Sequence, residues 1–152
     1  VIDSVLATYD SCLSNTTKIP QHQINTTKGL NMNILVIGGS GFIGTRLVSY
    51  LLENGNAVRI YDIKPSISHS KLVTIGDVRN KLALDAACHD IDIIYNLAAE
   101  HRDDVTPTSL YYDVNVEGAR NIVRAGEANG IKKIVFTSTV AVYGLNNPNP
   151  DE

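Results

Sequence analysis

The sequence predicts an α/β protein, a three-layer sandwich in which one parallel sheet lies between helices. Three observations predict it. Short apolar runs of strand length alternate with segments of helical period. The first run, Ile34-Leu35-Val36-Ile37, is apolar at every position and ends in glycine, as a strand buried on both faces does. A cluster of glycines then fills the turn between that strand and the first helical segment. Parallel strands joined by crossing helices close with a right hand.

Residues 1–31 stand apart, dominated by Ser, Thr, Asn and Gln as in Ser14-Asn15-Thr16-Thr17. Val1 to Leu13 could form a short helix, but Pro20 and Gly29 interrupt the residues after it and no core-facing stripe continues through them. The segment is expected to be a polar extension outside the core, with Met32 as the natural start and a domain over 32–152. After the first strand a helix is expected from Phe42 to Asn54, with Ile43, Leu47, Val48, Leu51 and Leu52 on one side and Gly55 as its stop. Ala57 to Tyr61 reads as the second strand and Leu72 to Ile75 as a third. Asn80 to Cys88 reads as a helix and Ile91 to Leu97 as the fourth strand. Thr106 is expected to cap a helix that opens at Pro107 and runs to Asn129, where Gly130 stops it. Lys132 to Ser138 completes the series as the fifth strand.

The composition narrows the function. With 152 residues, 43% hydrophobic and 19% charged, the chain fits one folded domain and little else. Its formal charge of -3 lacks the basic footprint of a nucleic-acid binder. Cys12 and Cys88 have no metal-ligand spacing, so neither a zinc site nor a disulfide scaffold is expected and a reducing cytoplasm fits. His22, His69 and His89 show no ligand spacing and are expected at the surface, and Cys88 inside. No apolar run reaches the length of a membrane span.

The chemistry is carried by Gly38-Gly39-Ser40-Gly41-Phe42-Ile43-Gly44. Two registers are open: Gly39, Gly41 and Gly44 match GxGxxG, and Gly38, Gly41 and Gly44 match GxxGxxG. Either allows a tight turn, a close approach of pyrophosphate at Gly41, and close packing of helix on sheet at Gly44, with the helix N-terminus turned to the phosphates. Asp62 follows 18 residues after Gly44, at the end of the second strand. A carboxylate there accepts hydrogen bonds from both ribose hydroxyls of adenosine and repels a 2′-phosphate, so NAD is favoured over NADP. Lys64 nearby weighs the other way.

These motifs, with Asp77-Val78 after the third strand, Asn96-Leu97-Ala98-Ala99 at the end of the fourth and Ser138-Thr139-Val140-Ala141-Val142-Tyr143-Gly144 after the fifth, resemble the N-terminal half of an extended short-chain dehydrogenase/reductase, the Rossmann-type group holding NAD-dependent sugar epimerases and dehydratases. The resemblance implies that Phe42 and Ile43 lie beside the pyrophosphate, that Asp77 and Val78 meet the adenine, and that Leu97, Ala98 and Ala99 line the channel to the nicotinamide ribose. It makes Thr139 the active-site hydroxyl, against the plain alternative of a threonine in a strand. The run Ala98-Ala99-Glu100-His101-Arg102-Asp103-Asp104-Val105 with Tyr111-Tyr112-Asp113-Val114-Asn115-Val116 narrows the resemblance to bacterial surface-polysaccharide epimerases acting on amino sugars linked to undecaprenyl pyrophosphate. There His101 and Arg102 would face sugar or phosphate, unless the loop is merely solvated. Asn115 would either act in catalysis or tie its helix to the neighbouring strand.

The same resemblance requires a YxxxK pair as acid/base centre, whose lysine lowers the tyrosine pKa. No tyrosine of this chain has a lysine four residues on. The chain is therefore expected to be a cofactor-binding part, truncated after the fifth strand. The expected partners are NAD and a sugar on a nucleotide or lipid pyrophosphate, with homodimerisation of the full-length enzyme and peripheral membrane association if the substrate is lipid-linked. A dehydratase or reductase of the same group, or a non-catalytic NAD-binding module, stays open.

Overall fold

The computed structural model describes residues 31–102 and 104–138. Residues 1–30, and Thr139 with the run to Gly144, lie outside them. The elements follow in the order β1 (Asn33–Ile37), α1 (Phe42–Glu53), β2 (Ala57–Asp62), β3 (Val73–Ile75), α2 (Lys81–Ala87), β4 (Ile93–Asn96), α3 (Ser109–Tyr112), α4 (Ala119–Ala128) and β5 (Lys133–Phe136).

Successive side chains of a strand point to opposite faces. In β1, Ile34 and Val36 enter one buried cluster with Leu47, Val48 and Leu51 of α1, while Leu35 and Ile37 enter a second with Leu84 of α2 and Ile122 and Ala125 of α4. That division makes the three layers. The sheet is parallel throughout, ordered β3-β2-β1-β4-β5, with Ile34 of β1 opposite Val58 on one side and Ile93 on the other. From β1 the chain builds outward through β2 and β3, then returns across β1 to lay down β4 and β5. At this reversal the connections leave on opposite faces, which opens a crevice at the carboxyl ends of β1 and β4.

Three expectations are corrected. The helix expected to open at Pro107 behind a Thr106 cap opens at Ser109, with Thr108 in the N-cap position. Thr106 and Pro107, joined by a cis bond, precede α3, whose first turn closes from Leu110 N–H to the Pro107 carbonyl and from Tyr111 N–H to the Thr108 carbonyl. Proline lacks an N–H and disfavours helical geometry in the residue before it, so Thr106 stays outside. Nor is the helix continuous to Asn129: Asp113–Gly118 form wider π turns between α3 and α4. Finally, His69 is half-buried, because a 3-10 turn at Ser70–Leu72 folds it onto α1, with Nε2 3.0 Å from Ser49 Oγ. That turn also takes Leu72 out of the third strand, and β4 is shorter at both ends than its apolar run. His89 is exposed and Cys88 fully buried. No helix among the described residues is long and apolar enough to cross a membrane.

Candidate functional site

The glycine turn sits at the mouth of the crevice. Gly38 has a φ of 79°, which a side chain rarely tolerates. Its N–H donates to the Tyr61 carbonyl at 2.9 Å, and Gly41 N–H donates to the Gly38 carbonyl at 3.2 Å. A Cβ at Gly38 would stand 2.9 Å from Ala98 N and Leu97 C, so the ends of β1 and β4 touch through backbone. Of the two glycine registers, the strained residue therefore belongs to Gly38, Gly41 and Gly44. Gly44 is buried in the first turn of α1, where a Cβ would meet the Gly38 carbonyl oxygen at 2.4 Å. This contact presses the helix start onto the turn. Thr45 N–H finds the Gly41 carbonyl at 2.9 Å, and the N–H groups of Phe42, Ile43 and Gly44 precede it without an intrahelical acceptor. They give that end of the helix a partial positive charge.

Asp62 ends β2 beside this turn. Its Oδ2 accepts Ser40 N–H at 2.9 Å and its Oδ1 accepts Lys64 N–H at 3.0 Å, while Ser40 Oγ donates to the Lys64 carbonyl at 2.9 Å. Each carboxylate oxygen keeps a lone pair for a further donor. One strand on, Asp77 is held by Arg79: Nε lies 2.9 and 3.0 Å from its two oxygens and the backbone N–H 2.9 Å from Oδ1. The hydrogen bonds from Arg79 hold this carboxyl below its ordinary pKa, against the opposing effect of partial burial. Buried Tyr61 donates its hydroxyl to the Asp77 carbonyl at 3.0 Å, and Val78 is itself buried, its carbonyl accepting the amide of Asn121 at 3.1 Å.

On the other side of β1, buried Asn96 ends β4 and its Oδ1 accepts Ala98 N–H at 3.1 Å, turning the chain across the crevice. Beyond Ala99 the backbone of Glu100 is held at both ends by one side chain. Asn115 Oδ1 accepts Glu100 N–H at 2.8 Å, and Asn115 Nδ2 donates to the Glu100 carbonyl at 2.9 Å. Asn115 thus ties its helix to the loop after β4 and not, as one of its two readings has it, to the strand itself. The Glu100 carboxylate faces Arg102, with Nε to Oε1 at 3.0 Å and a terminal nitrogen to Oε2 at 3.1 Å. Those bonds, helped by the N–H groups of Arg102 and His101, pull the Glu100 pKa down to about 2. The Tyr111 hydroxyl donates to the Arg102 carbonyl.

Together these segments enclose a cavity of about 730 Å³, within the range of small-molecule sites. Of the residues expected at the site, Gly38, Gly41, Asp62, Asp77, Val78, Leu97, Ala98 and Ala99 line it. Phe42 and Ile43 stand at the start of α1 rather than in the lining, and Gly44 lies beneath the turn. Ser40, Thr45 and Arg79 also line the cavity and were not expected there. Ser40 could have been found from its place inside the glycine turn; nothing in the spacing marks Arg79. Among the described residues no group of His, Cys, Asp or Glu is gathered to hold a metal ion.

A strained glycine turn and an open helix N-terminus at the reversal of a parallel sheet, with an acid ending the next strand, define a dinucleotide-binding α/β domain. Gly41 lines the cavity, and a Cβ there would meet only the Gly38 carbonyl oxygen, at 3.4 Å; its bare backbone leaves the crevice open beside the helix start, so the residues present fit such a ligand. The chain belongs to the NAD dependent epimerase/dehydratase family, whose pattern matches residues 34–152. It is 54% identical over 123 residues to the N-acetyl-alpha-D-glucosaminyl-diphospho-ditrans,octacis-undecaprenol 4-epimerase of Escherichia coli O157:H7, covering 81% of this chain and 37% of that enzyme. It is 40% identical over 130 residues to a 3-beta-hydroxysteroid dehydrogenase of Mycolicibacterium neoaurum, covering 78% of this chain and 36% of the relative. Among solved structures, a short-chain dehydrogenase/reductase superfamily protein from Agrobacterium tumefaciens with bound NAD superposes with a TM-score of 0.71 at 31% identity, over 76% of this chain and 35% of that one. The UDP-glucose 4-epimerase of Bifidobacterium longum in complex with NAD+ and UDP gives 0.65 at 27% identity, over 74% and 38%. The chain thus spans little more than a third of the relatives it matches.

Proposed function

We propose that this chain is the NAD-binding part of a sugar 4-epimerase acting on an amino sugar carried on a pyrophosphate, in bacterial surface polysaccharide synthesis. The observation that carries the reading is the 54% identity to the undecaprenol-linked N-acetylglucosamine 4-epimerase. In this reading Gly38, Gly41 and the free N–H groups of Phe42 and Ile43 hold the cofactor pyrophosphate, over the close packing that Gly44 permits. Asp62 accepts from the adenosine ribose hydroxyls and disfavours a 2′-phosphate. Asp77 and Val78 meet the adenine, and Leu97, Ala98 and Ala99 leave a smooth backbone wall toward the nicotinamide ribose. Thr139 offers a hydroxyl to the reacting sugar oxygen.

Bound NAD supplies a hydride acceptor that returns the hydride, so that C4 passes through a keto sugar without net consumption of cofactor. The chain's own residues bind and orient. Proton removal from the C4 hydroxyl is assigned to a tyrosine–lysine pair that this sequence does not contain, so the chain alone is expected to bind NAD without turnover. The setting of the whole enzyme is cytoplasmic, at the inner face of the membrane where the substrate is lipid-linked, with a homodimer as its assembly.

Titration of the chain with NAD tests the reading. Saturable binding is expected, weakened tenfold or more by Asp62→Ala, since that change removes acceptors for two hydroxyl donors. No saturable binding by the unaltered chain removes the reading. The identity to a hydroxysteroid dehydrogenase favours one alternative, a net oxidation of a secondary alcohol. Accumulation of NADH with substrate, in an enzyme that carries the tyrosine–lysine pair, would select it over epimerisation.

A further inference from the structure

The loop after β4 is fixed more firmly than a solvated charged loop requires. Asn115 clamps both backbone polar groups of Glu100, Tyr111 holds the Arg102 carbonyl, and Glu100 grips one edge of the Arg102 guanidinium through two bonds. Isolated surface ion pairs contribute little to stability, so such a concentration of polar contacts is poorly explained by folding alone. Its effect is to orient one side chain. Arg102 remains 63% exposed and lines the cavity, and its other terminal nitrogen is not taken up by Glu100. The remaining strong bases of the lining, Lys64 and Arg79, belong to segments after β2 and β3, across β1 from it.

We propose that Arg102, aimed by Glu100, is the residue with which this chain holds the pyrophosphate linkage of the sugar substrate. Guanidinium suits the task because its planar fork presents parallel N–H donors to phosphate oxygens while its other edge stays on the carboxylate. The geometry separates the two anions that meet in the crevice. The cofactor's pyrophosphate falls to the glycine turn and the start of α1, and the substrate's falls to the loop after β4. Glu100 is a positioning residue here. The inference rests on the assignment of a pyrophosphate-linked sugar as substrate.

The test titrates the NAD-saturated chain with UDP-N-acetylglucosamine and, separately, with a short prenyl diphosphate carrying N-acetylglucosamine. Arg102→Ala is expected to weaken at least one of these about tenfold while leaving the affinity for NAD unchanged. The arm that responds identifies nucleotide or lipid as the carrier. Arg102→Lys should recover only part of the loss, because an ammonium cannot bridge two oxygens in the same fixed plane. Glu100→Gln, which leaves the cation but loosens its aim, should weaken the same probe by less. Unchanged affinity for both probes in Arg102→Ala, a parallel loss of NAD affinity, or no saturable binding of either probe by the unaltered NAD-bound chain overturns the proposal. A chain that binds the probes through Arg102 but does not bind NAD would remove the cofactor reading and leave Arg102 in place.

Discussion

Three carboxylates line the crevice, and each is already engaged by donors of its own chain. Asp62 takes two backbone N–H groups and keeps lone pairs free, whereas Asp77 and Glu100 are each gripped by an arginine two residues on. The difference is one of chemistry: Asp62 is prepared to accept from a ligand, while the other two spend their charge on aiming a cation. It has a consequence in acid. Folded Glu100 titrates at about 2 against 4.5 for the free group, and the Asp77 pKa is lowered from 3.8, in both cases chiefly through the arginine hydrogen bonds. A lowered folded pKa means that the stabilisation is complete above the unfolded value and disappears as pH falls through the folded one. For Glu100 the window runs from 4.5 down to about 2. The arginine of each pair is open to solvent, so the loss is small and screened by salt. The expected outcome is an acid limb of the urea midpoint that is shallower in Glu100→Gln than in the unaltered chain; equal slopes in that window would remove the pair from the account.

At the scale of elements, the contact between α1 and the glycine turn decides whether the site exists. Alanine is normally worth about 1 kcal/mol over glycine inside a helix. At Gly44, however, the added Cβ would meet the Gly38 carbonyl oxygen at 2.4 Å and Gly39 Cα at 2.6 Å, backbone atoms that cannot rotate away. Overpacking of this kind costs about 1–3 kcal/mol or more, so it outweighs the propensity gain. Gly44→Ala is expected to lower the thermal midpoint by several degrees and to weaken NAD binding with it; a stabilised variant would show that α1 can lift off the turn without cost. This contact was legible beforehand, since the glycine spacing and the apolar strand before it are local signals. The helix around Asn115 was not. Its periodicity reads as one helix, but the π turns at Asp113–Gly118 bring Gly118 against Val78, where a Cβ would stand 2.6 Å from Cγ2. That packing joins residues far apart in sequence. Asn115 offered two roles from sequence, and its clamp depends on where Asn96 and the turn after β4 place Glu100, which no local signal gives. Arg79 was invisible for the same reason, and Arg102 stayed open between facing a ligand and facing solvent, because the worth of a charge depends on what stands opposite it.

For the whole molecule, the strand order sets both the crevice and a liability. Building outward from β1 in both directions puts the site at the centre of the sheet and leaves β3 and β5 as its edges among the described residues. The two edges differ. β3 has three residues, too few to template a neighbour well, whereas β5 pairs along Lys133–Phe136 with β4 and ends in Phe136, 59% exposed. None of its residues is fully buried, although a strand of an all-parallel sheet is ordinarily covered on both faces. An edge carrying exposed apolar side chains and unpaired backbone groups favours pairing with another chain, and a charge placed on it opposes that pairing. The chain by itself is therefore expected to self-associate across micromolar concentrations in sedimentation velocity, with NAD making little difference because the cofactor site lies at the other side of β4. Phe136→Lys should shift the distribution toward monomer without changing the affinity for NAD. A chain that sediments as monomer throughout, or a variant that associates as strongly as the original, would mean that β5 is covered by other parts of the sequence and that the sheet does not end in an open edge.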